Sequence, residues 1–326
     1  MKIKILITGA SGYIGSCLYF YLKKKFIVLG LDKINSNFKV IKKCDLRNTK
    51  KLDHFLRREK PNLIVHLAAQ SLVDETINKR KYFLNNIIAT KNLVMAMRKN
   101  NLNNLVFSST AALYKYKNEM ITENSKISPK STYAKTKYEC EKIIRNSGLK
   151  SIILRFFNVC SSLKIKNKII GELHNPETHL IPTIVYKNMF KKKIYIYGND
   201  YKTKDGSCVR DYIHILDICS AIKKSILHIT KNSDVNEILN IGSSSNITNF
   251  EILNKIEKMT KIKSNFEITK RRKGDVDKLS CSIKKAKKIL NWLPINSKIN
   301  KIIKDEILWV NYLKKNRVKR IFKNYL

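Results

Sequence analysis

The sequence predicts an α/β protein, with a doubly wound parallel sheet of the Rossmann type followed by a smaller C-terminal substrate domain. Three observations support this prediction. Short apolar runs rich in β-branched residues alternate with helical patterns through the first half, a glycine-rich turn follows the first run, and the alternation loosens after about residue 160. Strands buried on both faces of a parallel sheet have such apolar runs, and right-handed crossovers connect them.

Five apolar runs are interpreted as strands of this sheet: KILITG, FIVLGLD, NLIVHLAA, NLVFSST and SIILRFFNV. Helical spacing predicts helices between them, and Ile14, Leu18 and Leu22 share one face of the first. The later stretch SSLKIKNKIIGELHNPETHLIP has little periodicity and is predicted to be a long functional loop. After it, VRDYIHILDICSAIKKSIL predicts a strand leading into a helix, ILNIGSSS a short strand and turn, and the tail two helices around the break at Leu293 and Pro294.

The composition excludes several classes of protein. No run approaches the ~18–20 apolar residues that a membrane span needs, and the N-terminus enters a strand pattern without a secretory signal. The seven cysteines are scattered and include no C-x-x-C pair, which argues against a disulfide framework and against a zinc site. We therefore expect no metal, no membrane association and a cytoplasmic location.

The formal charge of +41, from 66 Lys and Arg against 25 Asp and Glu, is the most unusual global property. A protein that binds nucleic acid or another polyanion would have such a charge. Here the basic residues are spread along the whole chain and glycine is scarce, at 10 residues, which favours a general compositional bias. We therefore expect no specific nucleic-acid partner, and a stability that depends on salt.

A glycine-rich turn predicts dinucleotide binding. Gly9, Gly12 and Gly15 follow the first strand in G-x-x-G-x-x-G spacing and open a helix. Glycines allow the tight turn, and a pyrophosphate can then approach the free N–H groups of the helix. The second strand ends at Asp32, where a carboxylate accepts hydrogen bonds from a ribose. Its charge would repel a 2′-phosphate, so the pattern predicts NAD rather than NADP.

The stretch KSTYAKTKYEC predicts an acid–base group. Tyr133 and Lys137 lie four positions apart on one helix face, in a buried stripe that continues through Cys140 and Ile144. A phenol titrates near pH ~10, and a neighbouring ammonium lowers that pKa, as a bound nicotinamide cation would. Thr110 ends the strand LVFSST, where open α/β sheets bind ligands, and is placed to hydrogen-bond the same substrate hydroxyl.

These residues resemble a known family. TGASGYIGS, IVHLAAQSLVDET, FSSTAALY, YAKTK and RFFN are similar to the extended short-chain dehydrogenase/reductases. GELHNPETHLIP and YGNDYKTKDGSCVRDYIHILD are highly similar to the UDP-glucose 4-epimerases within that family, and RRKGDVDKLSCSIKKAKKILNW resembles their sugar-nucleotide-binding tail. The resemblance extends from the first strand to about residue 293.

The resemblance implies NAD-dependent epimerisation at C4 of a UDP-hexose, UDP-glucose or UDP-galactose, through a transient 4-keto intermediate. Tyr133 would take the proton from the C4 hydroxyl, and Thr110 would orient that transfer. Lys137 would lower the pKa of Tyr133 and hold the nicotinamide ribose. The resemblance also implies that NAD stays bound, and that the protein is a homodimer pairing helices of the first domain.

The resemblance also assigns binding residues and domains. NAD would be bound by residues of the glycine turn, of the next strands and of the catalytic helix: Gly9, Gly12, Tyr13, Ile14, Gly15, Asp32, Asp45, Leu46, Ala68, Asn86, Tyr133 and Lys137. The UDP-sugar would be held by Thr110, Asn158, His179, Tyr197, Arg210, Arg272 and Asp275. An arginine pair suits a diphosphate. Residues 1–160, with elements of 207–245 returning to them, would form the NAD domain, and residues 161–326 mainly the UDP-sugar domain.

Four positions depart from the family pattern. Asp74, Ala89, Lys115 and Ser161 stand where the family usually has glycine. A Cβ at Asp74 or Lys115 is expected to crowd backbone that approaches a ligand or adopts positive φ. We expect these changes to affect catalytic efficiency more than the type of reaction.

Three other functions fit these residues less well or differ only in the sugar. A sugar-nucleotide 4,6-dehydratase needs an Asp-Glu pair after the threonine, where this chain has Ala111 and Ala112. A related enzyme acting on UDP-GlcNAc or a UDP-uronate remains open, because pocket shape decides it. A nucleotide-binding scaffold with impaired turnover would explain the charge and the missing glycines, but not the retention of Thr110, Tyr133 and Lys137.

Overall fold

The computed structural model describes residues 2–34, 40–71, 78–115, 119–174, 177–272 and 275–316. The strands within them are β1 (Lys4–Thr8), β2 (Ile27–Asp32), β3 (Ile41–Lys43), β4 (Leu63–His66), β5 (Asn104–Thr110), β6 (Lys150–Phe156), β7 (Asn158–Cys160), β8 (Leu163–Ile165), β9 (Lys168–Ile170), β10 (Ile194–Tyr197), β11 (Val209–Arg210), β12 (Tyr212–His214), β13 (Asn236–Ile241), β14 (Ile247–Thr248), β15 (Phe266–Thr269) and β16 (Lys278–Leu279). The helices are α1 (Tyr13–Leu22), α2 (Thr49–Glu59), α3 (Lys79–Tyr82), α4 (Ala89–Lys99), α5 (Thr132–Arg145), α6 (Leu180–Met189), α7 (Ile215–Lys231), α8 (Asn249–Thr260), α9 (Lys284–Leu290) and α10 (Ile299–Lys315). A π-helical turn (Phe83–Ile88) precedes α4, and a 3₁₀ turn (Ala111–Leu113) follows β5.

Seven of the described strands form one parallel sheet in the order β13-β6-β5-β4-β1-β2-β3. The five predicted strands are β1, β2, β4, β5 and β6, and the strand predicted in ILNIGSSS is β13 at the sheet edge. The order reverses between β1 and β4, so a ligand crevice is expected outside the carboxyl ends of these strands. The prediction of a doubly wound, Rossmann-type parallel sheet is confirmed.

Apolar cores cover both faces of this sheet. Ile5 of β1 packs in one core with Leu18 of α1 and Ile222 of α7, and these side chains are fully buried. The next residue, Leu6, points to the opposite face and packs in a second core with Ile144 of α5. Such alternation is expected for a strand buried on both faces. Truncating Leu6 to Ala would therefore destabilise the protein by about 2–5 kcal/mol.

A separate core lies in the C-terminal half. Fully buried side chains from three helices meet there, among them Ile184 of α6, Ile252 of α8 and Ile303 of α10. A two-stranded sheet (β10 and β15) and a three-stranded sheet (β14, β11 and β16) belong to this half. The short parallel pair of β12 and β7 places Tyr212 opposite Asn158, close to the end of β6. The second half is thereby held against the carboxyl edge of the main sheet.

The segment predicted to be a long loop contains a hairpin. Strands β8 and β9 pair antiparallel, with Leu163 opposite Ile170. Lys166 in the turn has φ of +50°, in the left-handed region that glycine or asparagine usually occupies. Each strand has three residues, shorter than a typical strand, so the alternation in LKIKNKII was too brief to predict it.

The four positions that lack glycine differ in structure. Ser161 has φ of +83° and is fully buried, and its carbonyl accepts a hydrogen bond of 2.5 Å from the Tyr13 hydroxyl. Ala89 begins α4, where a Cβ is accommodated. Lys115 is exposed and its φ is not positive, so the concern about positive φ at that position was wrong. Asp74 lies outside the described residues.

All seven cysteines are buried and unpaired, so no disulfide links the elements of the fold. Among the helices that the structure describes, none combines the length and the apolar character needed to cross a membrane.

Candidate active site

Two cavities meet at the carboxyl edge of the main sheet. The larger has a volume of about 590 Å³ and is lined by the glycine turn and by one face of α5. The second has a volume of about 480 Å³, and Arg210 and Arg272 are among its lining residues. Asn158 and His179 line both cavities, so the two spaces adjoin at these side chains.

Most of the predicted site residues line one of these cavities. The larger is lined by Gly9, Gly12, Tyr13, Ile14, Gly15, Asp32, Asp45, Leu46, Ala68, Thr110, Tyr133, Lys137, Asn158 and His179. The second is lined by Asn158, His179, Tyr197, Arg210, Arg272 and Asp275. Asn86 lines neither, whereas its neighbour Asn85 lines the larger.

The turn between β1 and α1 fits a pyrophosphate. Gly9 has φ of +71°, which favours glycine. A Cβ on Gly15 would lie 2.1 Å from the carbonyl oxygen of Gly9, so no larger residue fits there without a shift of the backbone. Gly12 precedes α1 in an extended conformation, and no side chain caps this end of the helix. Its first-turn N–H groups are therefore suited to an anionic ligand.

The acid at the end of β2 is fixed beside this turn. Asp32 accepts hydrogen bonds from the N–H of Ser11 at 2.9 Å and from the N–H of Ile34 at 3.2 Å. Two carboxylate oxygens offer about four lone pairs, so the carboxylate retains acceptor capacity for ribose hydroxyls. The residues present at this end of the cavity therefore fit NAD.

Asp45, one of the predicted NAD-binding residues, is held by a neighbouring arginine. Its carboxylate makes a two-point contact with the guanidinium of Arg47, and the shorter N–O distance is 2.6 Å. This hydrogen-bonded ion pair lowers the pKa of Asp45. The carboxylate is thereby kept ionised at the cavity wall.

Asn86, predicted to bind NAD, contacts α5 from outside the cavity lining. Its side chain accepts from the N–H of Gln70 at 2.7 Å and donates to the hydroxyl of Thr136 at 2.9 Å. That hydroxyl in turn donates to the carbonyl of Tyr133 at 2.9 Å. Asn86 therefore connects the loop after β4 to the first turn of α5, and it lies outside the lining of both cavities.

The predicted acid–base groups differ from expectation in the pKa of the tyrosine. Tyr133 is hydrogen-bonded to Thr110; burial raises the pKa of Tyr133 and this bond lowers it, with a net value of about 12. Burial also lowers the pKa of Lys137 to about 8, and its ammonium lies 4.3 Å from the centre of the Phe107 ring. The expected lowering of the tyrosine pKa by Lys137 is therefore not seen in the protein alone, because burial dominates and Thr110 is the main opposing group.

A buried polar network lies one turn beyond Lys137. Arg155 of β6 makes a two-point contact with Glu141 of α5, with N–O distances of 2.7 and 3.0 Å. Ser109 of β5 donates to the same carboxylate at 2.5 Å, and Arg155 also donates to the Tyr114 hydroxyl at 2.8 Å. The network fixes α5 against two strands. Sequence reasoning missed it, although Glu141 is four positions after Lys137 on the same helix face.

The second cavity has two guanidinium groups. Arg210 donates to two backbone carbonyls at 2.9 Å and to Asp275 at 3.1 Å. The guanidinium of Arg272 stacks over Tyr197, 3.9 Å from the ring centre. Asp275 therefore orients Arg210, and Tyr197 orients Arg272, so both cations are preorganised on the wall of this cavity.

The residues shared by the two cavities are also held in place. Asn158 donates to the carbonyl of Asp211 at 2.8 Å. The Nδ1 atom of His179 lies 2.9 Å from Glu177 and 3.2 Å from Glu172. Burial lowers the pKa of His179, but the two carboxylates outweigh it and raise that pKa to about 9. Sequence reasoning singled out His179 but missed the two glutamates, which lie in the same stretch GELHNPETHLIP.

The sheet order and the Tyr133–Lys137 pair beside the glycine turn define a dinucleotide-binding enzyme of the extended short-chain dehydrogenase/reductase class. Within that class, the chain belongs to the NAD dependent epimerase/dehydratase family, whose family model matches residues 5–242.

Relatives are similar over nearly the whole chain. It is 34% identical to a UDP-glucose 4-epimerase of Rhizobium meliloti (strain 1021), covering 89% of this chain and 92% of the relative. It is 35% identical to a UDP-glucose 4-epimerase of Lactobacillus helveticus, covering 94% and 97%. The crystal structure of UDP-glucose 4-epimerase from Brucella ovis in complex with NAD is similar with a TM-score of 0.88 at 27% identity, covering 94% of this chain and 98% of that one.

Proposed function

We propose that the protein is an isomerase that uses NAD to invert C4 of a UDP-hexose, interconverting UDP-glucose and UDP-galactose. One observation in the structure supports this substrate independently of the similarity to other proteins. Asn158 and His179 line both cavities, so a ligand whose diphosphate is held by Arg210 and Arg272 can extend towards Tyr133. A nucleotide sugar has its diphosphate between the nucleoside and the hexose, which suits two adjoining spaces.

The chain's own residues move the proton. NAD held by the glycine turn and Asp32 would supply reversible hydride transfer at C4 of the sugar, with no net redox change over the reaction. Tyr133 takes the C4 hydroxyl proton and later gives it back, and Thr110 orients this transfer through its hydrogen bond to the phenol. The pKa of Tyr133 is about 12 in the protein alone. Further hydrogen bonds or positive charge must therefore lower this pKa before the phenol can ionise near neutral pH. Thr110 already lowers this pKa, and the buried ammonium of Lys137 lies one helical turn away on the same helix.

The second cavity would bind the diphosphate. Arg210 and Arg272 are already oriented by Asp275 and Tyr197, so little side-chain entropy is lost when an anion binds. Guanidinium groups match phosphate oxygens with two parallel hydrogen bonds. Tight binding of the nucleotide end would hold the substrate while the hexose turns over. The hydride could then return to the opposite face of the sugar ring, as inversion at C4 requires.

A coupled assay with UDP-galactose and UDP-N-acetylgalactosamine side by side tests the proposal. We expect turnover of UDP-galactose with NAD supplied. If neither substrate is converted, the proposed enzymatic function is wrong, and a nucleotide-binding scaffold with impaired turnover is favoured. Faster turnover of the N-acetylated sugar would favour the UDP-GlcNAc alternative, which the names of the two curated relatives do not favour.

The proposal also assigns NAD binding and UDP-sugar binding to different halves of the chain. Residues 1–160 would bind NAD and residues 161–326 mainly the UDP-sugar, with elements of 207–245 returning to the first domain. The separate core between α6, α8 and α10 supports the division, as do the places of α7 and β13 on the main sheet.

We also infer a homodimer and a cytoplasmic location. Phe83 and Met95, in the helical stretch that includes α4, are exposed by 48% and 59%, which supports pairing through helices of the first domain. Light scattering after size exclusion would show twice the mass of the chain, and a monomer at assay concentration would contradict the pairing. Seven unpaired cysteines support a reducing compartment, and recovery in the membrane or secreted fraction would contradict it.

A further inference from the structure

The loop between β9 and α6 brings four metal-ligating side chains together. Glu172, His174, Glu177 and His179 each offer one ligand atom, and these atoms all lie within 4.8 Å of one another. Nδ1 of His174 lies 2.8 Å from Glu172, and Nδ1 of His179 lies 3.2 Å from Glu172 and 2.9 Å from Glu177. Ligands bound tetrahedrally to one Zn²⁺ at ~2.0–2.1 Å are about 3.3 Å apart. Three of the six pairs of ligand atoms are already within about 0.5 Å of this spacing, and the other pairs lie within 4.8 Å.

Two carboxylate oxygens of this cluster have no hydrogen-bond partner among the described residues. These are Oε2 of Glu172 and Oε2 of Glu177, both of them buried. Nδ1 of His174 is paired with the other oxygen of Glu172 at 2.8 Å. A buried polar atom left unsatisfied costs about 1–3 kcal/mol, so the cluster is incomplete as a hydrogen-bonded arrangement.

A further buried carboxyl group faces the cluster from α10. Glu306 is fully buried, and within the described part of the chain neither of its oxygens makes a hydrogen bond of normal geometry, although the backbone of Ser161 faces it. Its electrostatic interactions with Glu172 and Glu177 are unfavourable. Three carboxyl groups and two imidazoles therefore meet in one place, and several of the carboxylate oxygens there have no hydrogen-bond partner among the described residues.

We propose that Glu172, His174, Glu177 and His179 bind one divalent transition-metal cation of the Zn²⁺ type, with Glu306 as a neighbouring carboxylate. Imidazole and carboxylate ligands together suit Zn²⁺, whereas Mg²⁺ prefers octahedral oxygen sites. The absence of C-x-x-C pairs led to the prediction of no metal. The spacing E-x-H-x-x-E-x-H in GELHNPETH is the signal that this reasoning did not consider.

Titration of chelator-treated protein with ZnCl₂ tests the proposal, by calorimetry and by counting zinc that remains after gel filtration. We expect one Zn²⁺ per chain, and at least about tenfold weaker binding in His174→Gln and in Glu177→Gln. His54→Gln is the matched control, because it removes an exposed imidazole in α2 outside the cluster. It should bind zinc as the wild type does, and MgCl₂ should give no saturable binding.

Two results would overturn the site. One is less than one retained equivalent of zinc in the wild type, and the other is equal zinc binding by the wild type, His174→Gln and Glu177→Gln. Loss of zinc in His54→Gln would also count against it, since binding would then be to surface histidines. Thermal unfolding and NAD content are measured on each variant, so that loss of zinc with both unchanged is separated from misfolding and from failure of the proposed catalytic function.

Discussion

The two cavities of the molecule achieve anion binding in different ways. The larger uses backbone, with three glycines at the end of β1 and an uncapped helix N-terminus. The second uses side-chain charge, with Arg210 and Arg272 held by Asp275 and Tyr197. Binding in the larger cavity should therefore depend on backbone conformation and on the absence of side chains in the turn. Binding in the second cavity should depend on the planar shape of the two guanidinium groups. Substitutions can separate these two dependences.

The largest effect is expected between the cavities, at the phenol. Tyr133→Phe removes the acid–base oxygen and keeps the ring, so turnover should fall about 10²–10⁴-fold while NAD remains bound. Steady-state rates and the NAD content of the purified protein measure both. Tyr138→Phe, on the same helix and outside the cavity lining, is the control and should keep wild-type turnover. Equal loss of NAD in Tyr133→Phe would contradict the assigned role.

In the second cavity the shape of the cation should matter. Arg210→Lys retains the charge but loses the planar fork, so UDP affinity should fall about 10- to 100-fold, as for a lost charge-assisted hydrogen bond of ~1.5–3 kcal/mol. Calorimetry with UDP measures the change. Arg271→Lys is the matched control, because Arg271 pairs with Asp200 outside the cavity lining. Unchanged UDP affinity in Arg210→Lys would remove this residue from the site.

In the larger cavity, NAD binding should depend on the space that the glycine turn leaves. Gly15→Ala places a Cβ 2.1 Å from the carbonyl oxygen of Gly9, so the turn must open; we expect loss of bound NAD and a decrease of about 1–3 kcal/mol in the free energy of unfolding. Gly12→Ala makes only a 3.4 Å contact and should fold normally. Urea unfolding and the ratio of absorbance at 260 and 280 nm measure both quantities. A Gly15→Ala protein that retains NAD would contradict the backbone account.

The buried lysine predicts a pH dependence of stability. The pKa of Lys137 is about 8 in the folded protein and ~10.4 in an unfolded chain. Between these values the unfolded state binds more protons, so the contribution of Lys137 to stability rises with pH. Lys137→Met should therefore be more stable than the wild type at pH 7, by about 1–3 kcal/mol, and this advantage should shrink towards pH 10. Urea unfolding across this range measures it, and a widening difference would contradict the sign.

The smallest effects concern glycine-poor helix ends, one in each half. Lys60 follows the last residue of α2 with φ of +43°, and Lys261 follows the last residue of α8 with φ of +57°, both in the left-handed conformation. Lys60→Gly and Lys261→Gly should each raise the free energy of unfolding by about 0.5–1 kcal/mol. Thermal unfolding with Lys258→Gly, inside α8, as the destabilising control tests this. A decrease in both variants would show that the lysines are held by other contacts.

The two cavities also differ in how far the sequence could predict them. The glycine turn and Asp32 lie in one β–α–β unit (β1, α1 and β2), and Tyr133 and Lys137 lie four positions apart on α5, so each motif shows in local spacing along the chain. The arginines of the second cavity are 62 positions apart, on β11 and beyond β15, and only the family resemblance assigned them.

Some elements could not be predicted for physical reasons. Strand β3 has three residues and is stabilised by its pairing with β2, so its own sequence carries little signal. The contact between Arg155 and Glu141 joins a helix to a strand and exists only when both pack together. The pKa of Tyr133 depends on burial that periodicity does not measure, and that is why its predicted direction was wrong for the protein alone.

The most direct measurement is proton NMR of UDP-galactose incubated with the protein and NAD, for the wild type and Tyr133→Phe in parallel. We expect the wild type to convert UDP-galactose towards an equilibrium with UDP-glucose without net formation of NADH, and the variant to retain NAD but leave UDP-galactose unchanged. Unchanged UDP-galactose with the wild type, or equal conversion by both proteins, would contradict this expectation.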